Sequence, residues 1–347
     1  MSSAVRSRDN WNPFDTMNYI LSICIPTFNR GPFIRETLES IVAQYTSDVE
    51  IVISDNASTD GTDEIVRNMQ KRHERITYFR SESNVGADRN FLQVIELASG
   101  THCWLMGSDD SIGAGGIATV LDVLARFPKI TGFSVNRVMY DYHMTKALPD
   151  LDIFPSRSID LHIYESPESV FRDLGIYLSF ISGQVFHTAS WRQFSQPADI
   201  EKYFNGLVHL YIFAAMIKVS RQWGAISKKI VRCRSDNDSF LSAGHFKRFQ
   251  IDVIGFSRAA ADVYGKGSGL YVQLMRDVLR SLMINRIIGF KLQGVAGKVY
   301  VQSFFASLPI YWRYLRFWSI FLFLILIPSA SMALALRLRT KFKDFRS

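Results

Sequence analysis

The sequence predicts an α/β fold in which a mostly parallel sheet carries helices on both faces. Three observations predict it: short apolar runs typical of buried strands, apolar residues at helical spacing after each run, and repetition of this pair from Tyr19 to Asp110. Parallel strands need such crossover connections. In sheets of this class, ligands bind outside the carboxyl ends of the strands.

The first two strands are predicted from apolar runs that stop at a proline or a polar residue. Residues 19–25 form the first run, which ends at Pro26. Residues 30–32 (Arg-Gly-Pro) then open a helix, because proline is favoured in the first turn. Residues 49–54 form the second run, which ends at Asp55.

The next elements continue the alternation. Asp60 is predicted to cap a helix that carries its apolar residues on one side. Residues 76–79 form a third strand, and a helix follows over about residues 86–98. Residues 101–106 form a fourth strand, which again ends on carboxylates. The carboxyl ends of the predicted strands therefore concentrate polar side chains.

The second half of the chain has weaker patterns. Helices are predicted near residues 167–174 and 203–219, and a late strand over residues 225–234. Beyond Ser242 the pattern is helical almost to the end. We found no internal repeat and no low-complexity tract.

Composition excludes several classes of protein. The 347 residues are 48% hydrophobic and 21% charged, which excludes wholesale disorder. Three cysteines lie far apart, so a disulfide framework or a thiolate metal site is not expected. Residues 1–16 are polar, which predicts no secretory signal. The formal net charge of +8 suits partners that carry phosphate, and by itself it does not choose among nucleic acid, anionic lipid and nucleotide diphosphates.

An uncharged apolar segment, residues 317–336, lies near the C-terminus. Its length would suffice for a membrane-spanning helix, but Pro328 interrupts it midway. Basic residues flank it on both sides: Arg313, Arg316, Arg337, Arg339, Lys341, Lys343 and Arg346. This pattern also suits a helix in the membrane interface or a re-entrant hairpin, and the alternative is a buried helix of a globular domain. We expect membrane contact by about residues 311–340.

Four motifs carry a family resemblance. They are SICIPTFNR at residues 22–30, VISDNASTDGT at residues 52–62, NVGADRN at residues 84–90 and WLMGSDD at residues 104–110. In this order they resemble the conserved blocks of family 2 glycosyltransferases, which have a GT-A fold and use nucleotide-activated sugars. The resemblance implies a Rossmann-like GT-A domain, with weaker echoes to about Ser239.

The resemblance implies a nucleotide-sugar site at the strand ends. Asp55 would accept a hydrogen bond from the base, although an aspartate in a D-N-x-S sequence can also bond its own turn. The other substrate-binding candidates share these loops or the later ones and are Pro26, Thr27, Phe28, Asn29, Arg89, Ser108, Asp109, Arg232 and Arg234. Arg89 could contact the base or the diphosphate, or be an exposed helix arginine.

The family's metal motif is D-x-D, which here has become Ser108-x-Asp110. The resemblance implies that Asp110 contacts Mn²⁺ or Mg²⁺, a hard cation that bridges carboxylate and diphosphate. Ser108 stands where the first carboxylate is expected. Asp109 occupies the variable middle position, and in an extended segment its side chain would point away from that of Asp110.

The acceptor side needs a general base. The family usually has an acidic pair after a glycine-aromatic segment, which residues 182–186 (SGQVF) resemble. Where the family has this acidic pair, the present chain has Val208-His209. His209 is therefore the first candidate for the base, and Asp199 and Glu201 are the alternatives. A histidine at the start of an apolar helix can also be structural. Arg232 and Arg234, two residues apart on a strand, would share a face and could meet the diphosphate.

These expectations give a domain scheme. Residues 1–18 form an arm, residues 19–240 form the GT-A domain, and residues 241–347 form a helical, membrane-associating region. Within the GT-A domain, residues 19–112 make the nucleotide-sugar half and residues 113–240 the acceptor half.

The expected activity is inverting transfer of a sugar to a hydroxyl of a polyprenyl-diphosphate-linked saccharide in bacterial O-antigen or surface polysaccharide synthesis. The family includes abequosyltransferase-like members with such acceptors. The expected location is the cytoplasmic face of the inner membrane. Alternatives are a polyprenyl-phosphate sugar synthase and a basic nucleic-acid-binding protein. Against the latter, the positive charge lies beside an apolar stretch and not in a recognition motif, so no nucleic acid partner is expected.

Overall fold

The computed structural model describes residues 19–149, 161–220 and 222–327, and the predicted N-terminal arm lies outside these ranges. Nine strands occur in the described ranges: β1 (Tyr19–Thr27), β2 (Val49–Asp55), β3 (Ile76–Arg80), β4 (Gly100–Leu105), β5 (Ser111–Ile112), β6 (Gly132–Tyr140), β7 (Leu161–Tyr164), β8 (Gln184–His187) and β9 (Trp223–Arg234).

The α-helices of the first half are α1 (Gly31–Val42), α2 (Thr62–Gln70), α3 (Ala87–Glu96), α4 (Gly116–Arg126), α5 (Pro167–Leu174) and α6 (Thr188–Phe194). Those of the second half are α7 (Val208–Ser220), α8 (His245–Gln250), α9 (Phe256–Tyr264), α10 (Gly269–Asp277), α11 (Ile284–Leu292), α12 (Gly297–Tyr311) and α13 (Leu315–Leu326). The predicted alternation of strands and helices up to β4 is confirmed.

The chain divides into two compact units. The first contains the chain up to Arg137, together with Ile181–Gln193 and Lys228–Cys233. The second contains Val138–Phe180, Phe194–Ser227 and the chain from Arg234 onward. The domain boundary near residue 240 stays a prediction.

The sheet of the first unit is mixed. Its strand order is β3-β2-β1-β4-β8-β6, and β5 pairs with β9. Pairing is parallel among β1, β2, β3 and β4, but β8 runs antiparallel to β4 and β6, and β5 runs antiparallel to β9. The prediction of a mostly parallel sheet is therefore wrong beyond β4. Antiparallel pairs need no crossover helix, so these strands lack the alternation that revealed the others.

Strands β1, β2 and β4 are held together by a buried polar cluster as well as by apolar packing. The Ser22 hydroxyl donates to the Glu50 carboxylate at 2.6 Å and accepts from the Gly100 amide at 2.8 Å. Ser99 donates to the same carboxylate through its amide and its hydroxyl. A Cβ on Gly100 would lie 2.6 Å from the Ser22 oxygen, so only glycine fits there.

Asp60 binds the starts of two helices. It precedes Gly61, which is the N-cap residue of α2 and has a positive φ of 87°. One Asp60 oxygen accepts from the Gly31 amide of α1 at 2.9 Å, and the other accepts from the Thr62 amide and hydroxyl of α2. Burial raises the pKa of Asp60, but the hydrogen bonds from Thr62 and Gly31 outweigh it and lower the pKa below its usual value. The predicted cap thus lies one residue early and serves α1 as well.

Between Ser239 and Leu326 the second unit consists of helices and short connections, as predicted for the chain beyond Ser242, and β7 pairs with the first part of β9 in the same unit. In the described part of the chain, no helix combines the length and apolar character that a membrane crossing needs. Helix α13 packs its buried Phe317 and Phe321 against α12, where Phe304 stacks on Phe317. Residues 328–340 of the predicted membrane-contacting segment lie outside the described residues.

Candidate active site

The carboxyl ends of β1, β2 and β4 lie side by side in the first unit. Thr27 is in register with Asp55 across the β1–β2 pair, and the Met106 amide after β4 donates to the Cys24 carbonyl of β1 at 2.9 Å. The three motifs that end these strands therefore share one edge of the sheet, as predicted. In α/β sheets this edge is where ligands bind.

Asp55 is fully buried and bonded on both carboxylate oxygens. One oxygen accepts from the Ser58 amide at 2.9 Å and from the Ser58 hydroxyl at 2.5 Å. The other accepts from the Tyr78 hydroxyl at 2.7 Å and lies 3.9 Å from the Arg80 Nε. Burial and the bond to Asp55 raise the pKa of Tyr78. Asp55 thus organises its own turn, and its contact with a base stays a prediction.

The loop after β1 is tied to the turn after β2. Asn29 has a left-handed φ of 51°, its amide donates to the Ser58 hydroxyl, and its side-chain oxygen accepts from the Thr59 amide at 2.8 Å. In the same loop Phe28 is 41% exposed, whereas Thr27 at the strand end is buried. An exposed aromatic ring beside a strand end can pack against a nucleotide base.

Helix α3 begins at the same edge, because the Asn90 side chain donates to the Thr27 carbonyl. Its neighbour Arg89 is exposed to solvent. The structure thus places Arg89 on the helix that abuts the first motif, where a guanidinium can reach an anionic ligand.

Asp110 is buried and oriented by a serine that the sequence did not single out as a site residue. The Ser182 hydroxyl donates to Asp110 Oδ2 at 2.5 Å and accepts from the Gly107 amide at 2.9 Å. The Thr37 hydroxyl donates to the Asp110 carbonyl at 2.7 Å. Ser182 is held in turn by its carbonyl, which accepts from the Trp104 ring nitrogen. A carboxylate fixed in this way presents its remaining lone pairs in one direction.

Asp109 lies closer to Asp110 than the sequence predicts. A Cβ added to Gly107 would meet Asp109 Oδ1 and Asp110 Oδ2 at 3.2 Å each, and the Ser182 oxygen at 3.1 Å. Both carboxylates therefore approach the same glycine. The expectation that Asp109 points away fails because Ser108 and Asp109 form a turn, not an extended segment. Ser108 itself is buried.

Two further residues that the sequence analysis missed lie near these carboxylates. Burial raises the pKa of the Cys233 thiol, the charges of Asp110 and Asp109 raise it further, and Arg137 lowers it. Cys233 and Arg137 are remote from the motif in sequence, and no local pattern identifies them. The thiol is kept protonated, so this group is not an anion under ordinary conditions.

The two strand arginines differ in exposure. Arg232 is exposed and in register with Ser111 of β5, in the first unit. Arg234 is buried, and in the second unit it donates to the Tyr142 carbonyl. Of the two, Arg232 is therefore the more accessible to an anionic ligand in solution.

The base candidates all lie in the second unit. His209 is 1% exposed in the first turn of α7, with Nε2 3.1 Å from the Ser179 carbonyl. Burial lowers its pKa to about 4, against a smaller opposite effect of the Ser179 carbonyl. Asp199 and Glu201 are exposed, and Asp199 pairs with Lys202 at 2.6 Å. The Lys202 hydrogen bond lowers the pKa of Asp199.

The donor set at Asp110 suits a hard divalent cation. The Asp109 and Asp110 carboxylates and the Ser182 hydroxyl offer only oxygen, which Mg²⁺ and Mn²⁺ prefer. Among the described residues, no group of three or more His, Cys, Asp or Glu side chains could hold a metal ion by itself. Such a site fits a cation that takes one or two carboxylates and completes its shell with substrate phosphates.

Comparison with known proteins decides the family. A model described as glycosyl transferase family 2 matches residues 22–169. Abequosyltransferase RfbV of Salmonella typhimurium is 34% identical over 265 residues, which cover 72% of this chain and 77% of that protein. The chain belongs to glycosyl transferase family 2. It is therefore a glycosyltransferase, as the four motifs predicted.

Other similarities are more limited. This family 2 glycosyltransferase is 34% identical over 102 residues to a Campylobacter jejuni enzyme named GalNAc(5)-diNAcBac-PP-undecaprenol beta-1,3-glucosyltransferase, covering 29% of this chain and 33% of that one. Among solved structures, S. aureus TarS 1-349 matches with a TM-score of 0.56 at 14% identity, covering 84% and 88% of the two chains.

The mannosyltransferase PcManGT of Pyrobaculum calidifontis, solved with GDP-Man and Mn²⁺, matches with a TM-score of 0.50 at 17% identity, covering 90% of this chain and 86% of that one. At these identities the two solved structures support the fold alone. This fold is the predicted GT-A α/β fold, although its sheet is mixed where a mostly parallel one was predicted.

Proposed function

We propose that this glycosyltransferase moves one sugar, with inversion, from a nucleotide-diphosphate donor to a hydroxyl of a polyprenyl-diphosphate-linked saccharide in bacterial O-antigen or surface polysaccharide synthesis. The observation that carries the proposal is the Asp110 carboxylate, oriented by Ser182 and with Asp109 near it, at the sheet edge where α/β folds bind ligands. The names of the relatives support the acceptor class, since one is an abequosyltransferase and another acts on a PP-undecaprenol saccharide.

Asp110, with Asp109 beside it, would hold Mg²⁺ or Mn²⁺ against the donor diphosphate. When bound, the cation supplies positive charge that stabilises the leaving nucleoside diphosphate. The residues of this chain fix the geometry: Ser182 orients the Asp110 carboxylate, and Gly107 leaves room for both carboxylates. A pre-oriented site needs no rearrangement when charge develops on the leaving group.

The nucleotide would lie along the ends of β1 and β2. Phe28 offers its exposed ring to the base, and Pro26, Thr27 and Asn29 shape the wall behind it. Asp55 keeps this wall rigid through Ser58, and its remaining lone pair can accept from a base N–H. Exposed Arg89 and Arg232 supply guanidinium groups for the phosphates, with Arg234 as a further candidate.

The acceptor hydroxyl needs a base that it can reach. Exposed Asp199 and Glu201 meet this condition better than buried His209. The pKa of about 4 also removes the advantage that an imidazole usually has as a base near neutral pH. A carboxylate base suits inverting transfer, because it removes the acceptor proton while the leaving group departs. His209 remains the position that the family motif indicates, so all three are tested together.

We further propose that helix α13 and the chain after it hold the enzyme at the cytoplasmic face of the inner membrane. Nucleotide sugars are made in the cytoplasm, so the catalytic domain should face that side. Exposed aromatic and aliphatic side chains on α12, α13 and their connection, such as Phe305, Trp312 and Leu315, support this attachment. Since apolar contact resists salt, we expect full-length protein to stay with the membrane fraction in high salt. Recovery of the protein in the supernatant without detergent would contradict membrane attachment.

The enzymatic proposal is tested by incubating purified protein with a panel of labelled nucleotide sugars and three acceptors: a polyprenyl-diphosphate saccharide, a polyprenyl phosphate and water. We expect metal-dependent transfer to the first acceptor, with inverted stereochemistry in the product. Transfer to polyprenyl phosphate alone would indicate a lipid-phosphate sugar synthase instead. Among the base candidates, the alanine variant of the true base should lose about 10²- to 10⁴-fold in transfer and keep donor binding.

A further inference from the structure

Four arginines line one pocket in the second unit. Arg276 and Arg280 come from the end of α10 and the helical turn after it. Arg313 comes from the connection between α12 and α13, and Arg316 comes from the first turn of α13. The other lining residues are Leu279, Tyr314 and Leu315, and the cavity volume is about 270 Å³. Two separate parts of the chain thus bring their cationic side chains to one place.

The positive charge of this arginine pocket is unbalanced. The lining contains no carboxylate, all four arginines are exposed, and within the described residues none of them forms a salt bridge. Burial raises the pKa of Asp277, which lies beside the pocket, above its usual value, and the charges of Arg280 and Arg276 offset only part of this rise. Arg313 lies over the Trp312 ring at 4.7 Å, which leaves its charge in place. Guanidinium groups that converge without salt bridges repel one another, so an anion with several oxygens would stabilise this arrangement.

The surroundings of the pocket are apolar. Of the twelve large hydrophobic residues that are exposed in the described chain, six lie on α12, α13 or their connection: Val301, Phe305, Trp312, Leu315, Trp318 and Leu326. Leu315, 89% exposed, also lines the pocket. Tryptophan beside arginine is typical of surfaces at the level of lipid headgroups. The pocket therefore combines an anion site with a surface for a lipid chain.

We propose that the arginine pocket binds the diphosphate of the lipid-linked acceptor, with the polyprenyl chain along Trp312, Leu315 and Trp318. This inference rests on the proposed function for the acceptor class. A diphosphate that joins a lipid to a sugar carries twice the negative charge of a phospholipid's single phosphodiester and offers more oxygens to bidentate arginines. The positive charge of four guanidinium groups in a cavity of about 270 Å³ therefore matches a diphosphate better than it matches a single phosphodiester.

The test compares vesicle binding of full-length wild type with that of Arg280→Gln/Arg313→Gln. One set of phosphatidylcholine vesicles carries polyprenyl diphosphate, and the other carries phosphatidylglycerol at matched surface charge. Wild type should prefer the polyprenyl diphosphate vesicles. The double variant should bind them about 30-fold more weakly, because two arginine contributions of the size usual at anionic membranes are lost. It should also raise KM for the lipid-linked acceptor and leave KM for the donor unchanged.

The matched control is Lys266→Gln/Lys298→Gln, which removes the same charge from exposed positions of the same unit outside the pocket. The control should keep the wild-type preference, and equal thermal unfolding midpoints will show that both variants fold. Equal binding of the arginine variant and the control would overturn the proposal. Equal wild-type affinity for both vesicle types would assign the pocket to ordinary anionic phospholipid and also overturn it. Donor hydrolysis, measured separately, shows whether a failure lies in the proposed enzyme activity or in this pocket.

Discussion

At the scale of single residues, the chemistry depends on how closely a few groups surround Gly107. Its missing side chain leaves space for oxygens of Asp109, Asp110 and Ser182, all 3.1 to 3.2 Å from where a Cβ would stand. The glycine needs no unusual backbone conformation, so its role is close approach. Any added atom at this position therefore perturbs the carboxylates directly.

The first prediction concerns this close approach. Gly107→Ala should lower kcat/KM for the donor by about tenfold or more, because the methyl group displaces two carboxylates that must stay in place for catalysis. The matched control is Gly267→Ala, whose added methyl group meets no atom within 4 Å. Steady-state kinetics of both variants check the prediction, and equal activity of the two would show that the carboxylates around Gly107 are not used.

The second prediction concerns Ser182. Ser182→Ala removes the donor to Asp110 and leaves the buried Gly107 amide without its acceptor, which should cost about 1–3 kcal/mol of unfolding free energy. Its kcat should also fall, since Asp110 loses its orienting bond. Ser134→Ala removes a buried serine bond to Gln184 elsewhere in the sheet and serves as control. A Ser182 variant that is destabilised but fully active per folded molecule would reduce Ser182 to a structural role.

The third prediction concerns pH. Burial lowers the folded-state pKa of both His102 and His209 to about 4, below the 6.5 of an exposed histidine. The unfolded chain therefore binds protons first as the pH falls, and stability present above pH 6.5 is lost between 6.5 and about 4. Each histidine contributes a slope of about 1.4 kcal/mol per pH unit in this window.

Urea unfolding at several pH values measures this slope. His209→Gln keeps an amide donor for the Ser179 carbonyl and should remove one histidine's share of the slope. An unchanged slope in this variant would mean that His209 titrates normally. Its transfer activity, measured on the same sample, also shows whether the side chain acts as the base.

At the scale of elements, the sequence predicted the parallel strands and the late strand β9, and it missed the short antiparallel strands. Strands β1, β2 and β4 are long and apolar and alternate with amphipathic helices, so their ends and the carboxylates on them could be assigned. Strands β5, β7 and β8 have two to four residues and leave no periodic signal. For this reason the sequence could not predict the contact between Ser182 and Asp110. These residues are 72 positions apart in the chain and meet only in the folded protein.

A cluster of ion pairs connects the loop after β9 to the C-terminal helices. Asp238 accepts from Arg248 at 2.6 Å and from Arg286 at 3.1 Å, and Asp252 pairs with the same two arginines. Asp252 is buried, and its ion pairs with the two arginines offset the loss of hydration of its carboxylate. The cluster therefore joins α8, α11 and the loop after β9.

The fourth prediction concerns this cluster. Asp252→Asn should lower the unfolding free energy by about 3–5 kcal/mol, because two partly buried arginines lose a charged partner. The control Asp122→Asn breaks an exposed pair with Arg126 and should cost less than about 0.5 kcal/mol. Chemical denaturation measures both. Similar costs for the two variants would show that the cluster is no more than a surface network.

At the scale of the whole molecule, the proposal combines a nucleotide-sugar site in the first unit with an anionic lipid site in the second. Family membership and the GT-A fold fix the reaction class. The residues proposed for the donor site could be predicted from the sequence, because the apolar run of each strand shows where the strand ends and which carboxylates follow it. The acceptor side depends on Arg276, Arg280, Arg313 and Arg316, which are separated along the chain and come together only in the folded protein.

The most direct measurement of the central claim is transfer of a labelled sugar by Asp110→Asn and Asp109→Asn at saturating Mn²⁺ or Mg²⁺. Asp110 is the carboxylate that Ser182 orients, so Asp110→Asn should reduce turnover by about 10²-fold or more, and Asp109→Asn should reduce it less. Donor titration by thermal shift will show whether the loss lies in binding or in turnover. Wild-type turnover by Asp110→Asn would contradict the account, because the oriented carboxylate would then have no part in the reaction.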